Sequence, residues 1–272
     1  MGSKGTVEHH GRFAESHGTL VSYRYLGCGS EMLDKDHAVG HMPLRSDMRF
    51  SSGVMGAPLA IAMLDTAGIN IDRIRFAAPT HIALQIMSDG VGVKTVRTDG
   101  TVNRIARTAL FTECTQVDAD NPDTVIATGN VDWASMGDVA PGFEYQHPGP
   151  GVPDEPLMPP LFTAYTIEHD DMNRYVIPAL NNLVGPSVLH HGPQLVALEC
   201  QANDLAEREG GSSPLRLQTY DVRLLRGGKR PPFVTVPLGS GRAGQLVWAR
   251  SALVDDDGNG DVIAQASLVY RA

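Results

Sequence analysis

The period of apolar and polar positions changes along this chain, and the same order of changes runs through it twice. In the first half, Thr19 to Tyr25 and Ala38 to Phe50 have the look of extended segments. After Pro58 the apolar residues crowd together, with Leu59, Ile61, Met63, Leu64 and Ile69 in a run long enough for a helix to about Ile69. Four β-like runs follow, Thr80 to Met87, Val91 to Arg97, Val102 to Val117 and Thr124 to Trp133. Turn signals at Gly90, Asp99-Gly100 and Asn121-Pro122 separate them. The second half predicts a strand over Phe162 to Glu168, then a helix from Pro193 to about Arg208 that carries Leu195, Val196, Leu198 and Leu205. Strands over Leu215 to Leu225, Phe233 to Val236, Gly244 to Val254 and Val262 to Tyr270 complete it, with turns at Gly227-Gly228 and Asp257 to Gly260. Both helices are apolar on nearly every side, which means burial. One buried helix early among antiparallel strands, twice, is an α+β pattern. With no helices between the later strands, a parallel βαβ sheet is ruled against.

The two helix regions align residue by residue. Ser52 to Ala67 matches Ser187 to Ala202 at an offset of 135, and Ser, Pro and two Ala coincide. An offset near half the 272-residue length suggests a duplicated domain, not a solenoid, whose periods run from about 20 to 50 residues. Between the halves lies Gly137 to Pro160, holding seven of the 18 prolines, which reads as an extended linker. The predicted layout is a loose N-terminal arm over 1–18, a domain over 19–136, the linker over 137–160 and a second domain over 161–272.

Composition narrows the function classes. A net charge of −9 and a pI near 5.5 leave no general basic surface for nucleic acid. No apolar run approaches the 18 or more residues of a membrane helix, and no secretory leader is evident in the polar first residues. Cys28, Cys114 and Cys200 are few, odd in number and far apart, which fits reduced thiols in the cytoplasm and gives no metal signature. The chain lacks Gly-x-Ser-x-Gly, His-Glu-x-x-His and a phosphate-binding glycine loop, arguing against serine hydrolases, zinc proteases and nucleotide-dependent enzymes.

The strand, loop, buried helix and curling antiparallel sheet, with His191-Gly192 at a helix start, resemble the hotdog fold. More narrowly, the chain resembles the thioesterase group that includes the phenylacetate-pathway acyl-CoA thioesterases. That group carries His-Gly-Gly ahead of its helix and an acid eight positions after the first Gly. Ala57 and Asp65 keep this spacing in the first copy; in the second, Pro193 replaces the second Gly and Cys200 stands at the acid position. The resemblance implies a double hotdog, two antiparallel sheets each wrapped around a central helix, that hydrolyses acyl-CoA. Coenzyme A would enter as part of the substrate, with no other cofactor, and a homodimer would fit the fold. A hotdog acyl-CoA hydratase or dehydratase is the alternative within enzymes. His169-Asp170-Asp171-Met172-Asn173 is similar to that group's Asp-x-Asn but lacks its Pro and His. A non-catalytic acyl-CoA or lipid binder is the alternative outside enzymes.

A helix start with proline at its first positions exposes backbone N–H groups at the positive end of the dipole, suited to a developing oxyanion. Asp65 lies about 12 Å along the axis from Ala57, too far to serve its own helix start. If the two helices lie antiparallel, Asp65 of one meets His191 and Gly192 of the other, as base or nucleophile and oxyanion donor. The converse pairing sets Ala57 and Pro58 against Cys200 or Glu199. A register shifted by one residue would put Glu199 opposite Asp65, at the loss of the Ser, Pro and Ala coincidences. One working site per chain follows, with Asp65, His191 and Gly192 catalytic. Asn182, Ala57, Glu199 and the basic residues Arg226, Lys229 and Arg230 are candidate substrate contacts, the basic ones as a clamp for CoA phosphates or simply a solvated turn.

Overall fold

The computed structural model describes residues 20–51, 53–139, 151–211, 214–256 and 260–272. The N-terminal arm, linker residues 140–150 and the turn residues 257–259 lie outside the described residues.

Two long helices organise the rest. A short helix α1 (Val21–Arg24) precedes β1 (Gly29–Met32), β2 (His37–Pro43), β3 (Arg49–Phe50) and β4 (Gly53–Val54). Then come α2 (Gly56–Ile71) and strands β5 (Phe76–Ile86), β6 (Thr95–Ile105), β7 (Ala109–Asp118) and β8 (Val125–Gly137). The second half has α3 (Leu161–Ala164), β9 (Glu168–His169) and β10 (Tyr175–Ile177) ahead of α4 (His191–Gly210). Strands β11 (Arg216–Leu224), β12 (Phe233–Ala243), β13 (Leu246–Asp255) and β14 (Val262–Arg271) close it. Every residue of α2 is buried, as its unbroken apolar pattern requires. Helix α4 is buried until its last turn, where Glu207, Arg208 and Glu209 reach solvent.

Twelve of the strands form one antiparallel sheet, in the order β1-β2-β6-β7-β8-β5-β11-β14-β13-β12-β10-β9, and β3 and β4 form a separate ribbon. Helix α2 packs on β1, β2 and β5 to β8, and α4 on β10 and β12 to β14. The expectation of two sheets therefore needs correction. Each half does curl around its own helix, but β5 and β11 pair directly, from Thr219 opposite Gln85 to Arg223 opposite His81. Left apart, both would be long edge strands with unpaired backbone groups, and joining them removes that liability.

Three local expectations also fail. Thr19 to Tyr25 and Phe162 to Glu168 are extended by pattern, yet α1 (Val21–Arg24) runs through the first and α3 (Leu161–Ala164) takes the start of the second. Asp99-Gly100 is no turn, because β6 runs straight through it. Gly100 faces α2 closely there: an added Cβ would come within 3.2 Å of Thr66 Cγ2, a tight contact. Gly227-Gly228 does sit in a connection, but β11 and β12 are not neighbours, so no hairpin is formed.

Candidate active site

The two central helices begin alike and are treated differently. In α2 the first three residues are Gly56, Ala57 and Pro58; in α4 they are His191, Gly192 and Pro193. Neither proline offers an N–H, so two backbone donors lead each helix. At α2 both are taken. Gly56 N–H donates to Glu199 Oε1 at 2.6 Å and Ala57 N–H to Oε2 at 2.7 Å. Glu199, the ninth residue of α4, is fully buried, and burial pushes its carboxyl up to about 7 against the pull of these two donors. Glycine is required at 56 because any Cβ would collide with the Tyr220 ring. A carboxylate of the second half thus closes the first helix start.

The ninth residue of α2 is Leu64, which offers the start of α4 no such carboxylate. Among the described residues its Gly192 N–H reaches only His190 Nδ1, at a long 3.5 Å, and that ring nitrogen also lies 3.0 Å from Ser22 Oγ on α1. A Cβ on Gly192 would collide with Ser22 Oγ, so glycine is again what lets a neighbour reach the helix start. His191 Nε2 lies 3.3 Å from the Tyr23 hydroxyl.

Where the carboxylate is missing, there is space. A cavity of about 420 Å³ is bounded by His190, His191 and Gln194 at the start of α4, by Leu64, Gly68 and Asp72 along α2, and by Phe76, Trp133, Met136 and Leu224 from the sheet. At the corresponding place beside α2, a cavity of only about 90 Å³ lies among Gly53, Val54, Ile86, Leu217 and Tyr270. Gly56, Ala57 and Glu199 are not on its wall.

Asp72 ends α2 and lines the large cavity. Its carboxyl is pushed up to about 7 by burial and, less strongly, by the charge of Asp65. The carbonyl end of a helix disfavours an anion further. Among the described residues the Asp72 side chain makes no hydrogen bond or ion pair.

The sequence-predicted residues separate into groups. His191 and Gly192 are at the start of α4, His191 on the cavity wall. Asp65 is buried in the middle of α2, but Oδ2 accepts from Ser30 Oγ of β1 at 2.5 Å, and the residue is not on the cavity wall. Ala57 and Glu199 meet each other and leave Cys200 as a buried thiol raised well above its ordinary range by desolvation. Asn182 is exposed and off the cavity wall; it is Asn181 whose side chain accepts from Leu183 and Val184 N–H and shapes the loop. Arg226 lines the cavity, yet its guanidinium is bound by Asp255 and Asp261 at 2.5 Å each, and Arg230 lies 3.4 Å from Asp255. Lys229 is exposed and has no ion pair among the described residues.

Sequence reasoning missed Ser22, Tyr23, Leu64 and Asp72. Leu64 could have been found, since the offset of 135 sets it opposite Glu199. Asp72 carried a signal too, as an acid closing the run Ile69-Asn70-Ile71 where the helix dipole opposes it.

No family model and no curated protein matches the chain by sequence. Solved structures do match in shape. The tesB protein of Mycobacterium avium subsp. paratuberculosis superposes over 95% of this chain and 98% of its own, with a TM-score of 0.59 at 13% identity. A protein of unknown function with a hot dog fold from Alicyclobacillus acidocaldarius covers 93% and 98%, at 0.58 and 13%. The chain has a hotdog fold. Acyl-CoA thioesterase II TesB2 of Mycobacterium marinum gives 0.53 at 16% identity, over 93% of this chain and 96% of its own. Among the described residues no helix is long and apolar enough to cross a membrane, and no three His, Cys, Asp or Glu side chains are grouped to hold a metal ion.

Proposed function

We propose that this chain hydrolyses acyl thioesters at a single site, the start of α4, with the acyl group in the adjoining cavity. One observation carries the reading: Glu199 closes the backbone donors of α2, whereas Leu64 stands at the equivalent place facing α4, and a cavity of about 420 Å³ lies there. Glu199 shows what such a terminus binds, namely oxygens that accept from its two leading N–H groups. A thioester carbonyl at the start of α4 acquires negative charge as it becomes tetrahedral. Several solved structures of similar shape are named thioesterases, which agrees with this reading.

In the proposed reaction Gly192 N–H, held only by the long 3.5 Å contact to His190 Nδ1, turns to donate to the carbonyl oxygen. The His191 imidazole, steadied by the Tyr23 hydroxyl, takes a proton from the attacking water. The tetrahedral intermediate collapses by breaking the C–S bond, and the imidazolium returns the proton to the departing thiolate. The acid is released from the cavity, and the thiol leaves by the Arg226 side. Lys229, with no ion pair among the described residues, is the group there that can meet a coenzyme A phosphate. Under this reading the two halves arose by duplication, and one of the two equivalent helix starts became structural.

The test is release of free thiol from a panel of short, long and aromatic acyl-CoAs and acyl-pantetheines. Saturable, protein-dependent release is expected. Binding without release above background would favour a carrier, and a change in acyl unsaturation without thiol release would favour a hydratase.

A further inference from the structure

Asp72 has no role in the hydrolysis just described, yet it lies on the wall of the same cavity. Leu64, Gly68 and Asp72 are spaced by four along α2, so they form one stripe down the cavity floor. Leu64 marks the level of the α4 start. Asp72 is two turns further, about 12 Å along the axis. Between them the walls are the apolar Phe76, Trp133 and Met136. At Gly68 the nearest atom to an added Cβ is Trp133 Cη2 at 3.7 Å, so the floor stays low midway along the stripe. Along this stripe the walls are therefore mostly apolar, and its far end carries the half-buried Asp72 carboxyl, which has no hydrogen-bond or ion-pair partner among the described residues.

A simple alkyl chain would cover that carboxyl and leave it unsatisfied, an outcome that buried polar groups avoid. We infer that the acyl group this site takes carries a hydroxyl at its far end, and that Asp72 receives it. A hydroxyl can donate to a carboxylate and accept from a carboxylic acid. Asp72 is held near the point where both forms exist at neutral pH. An ammonium would satisfy only the anion. The flanking basic residues Arg73 and Arg75 also oppose a cationic tail, although Arg75 is partly engaged by Asp138 at 3.5 Å.

The inference rests on the acyl group lying in this cavity, and its test separates that from hydrolysis. Two series are compared, straight-chain acyl-CoA thioesters and their non-hydrolysable thioether analogues, each with and without a terminal hydroxyl and each scanned in length. In the intact protein the hydroxyl should improve kcat/KM for thioesters, and Kd for thioethers, by about tenfold or more at one chain length. Asp72→Leu should erase that preference while leaving the plain acyl compounds bound as well or better. Asp72→Asn, which keeps the shape and a hydrogen-bonding end, should retain part of it. Equal treatment of both tails at every length would overturn the inference, as would a preference that survives Asp72→Leu or one for a terminal amine. A hydroxyl preference among thioethers with no thioester turnover would keep the inference and reject hydrolysis.

Discussion

Glu199→Gln changes one buried oxygen into an amide nitrogen, and the pH dependence of its effect can be worked out from the structure. Glu199 accepts from both Gly56 and Ala57 N–H, at 2.6 and 2.7 Å. A glutamine can accept only one of them and sets its own N–H₂ against the other, leaving a buried donor unmet at a cost of about 1–3 kcal/mol. The pH term has the opposite tendency. The carboxyl is raised from 4.5 to about 7 by burial, so the folded chain holds this proton more tightly than the unfolded chain. Its contribution to stability is fully present below 4.5 and is lost as pH rises towards 7. At about 1.4 kcal/mol per pH unit the loss is about 3 kcal/mol. Glutamine does not titrate. The wild type should therefore exceed Glu199→Gln in stability most at low pH, and the gap should narrow or reverse between pH 4.5 and 8. Urea denaturation of both proteins across that range measures it. A gap that stays constant, or widens as pH rises, would show that the two N–H groups and the helix dipole outweigh desolvation and hold Glu199 ionised.

Two further outcomes follow from where the side chains lie. Asp65→Asn should lower stability by about 1–3 kcal/mol, because Asp65 is buried and accepts from Ser30, but leave kcat/KM within a few-fold of wild type. Loss of turnover in a folded variant would return the base to Asp65. His191→Gln should lower kcat by about 10²–10⁴ with the fold intact, read from thiol release beside thermal melting, and an unchanged kcat would remove His191 from proton transfer.

Much of this molecule could be read from its sequence. Both central helices announced themselves, because an all-round apolar run has only one stable place. The repeat at 135 residues aligned the two helix starts correctly, since Gly56 and His191 are indeed first residues and Pro58 and Pro193 third. The partner of Ala57 was narrowed to Glu199 or Cys200, and packing selects Glu199. Other features depended on contacts distant in sequence. Nothing local at Thr19 to Tyr25 says that Ser22 and Tyr23 will meet His190 and His191, 168 residues away, on a short helix. Pairing of β5 with β11 is a choice between strand edges that no local pattern encodes. Asp65 drew attention as an acid on a buried helix, and its bond to Ser30 of β1 is a contact that no local pattern encodes. Within the basic run at 223–230, Arg226 is bound by Asp255 and Asp261, which lie on another hairpin and are not announced by the run itself.

The central claim is that the start of α4 acts because it lacks the carboxylate that closes α2. Leu64→Glu supplies one, at the position equivalent to Glu199 and on the cavity wall. Thiol release by this variant is the most direct measurement, with Leu64→Met as the control for packing. A folded Leu64→Glu protein should lose about 10²-fold or more in kcat while Leu64→Met stays near wild type, in keeping with the weight of an oxyanion donor. A folded Leu64→Glu variant that turns over substrate as fast as Leu64→Met would contradict the account.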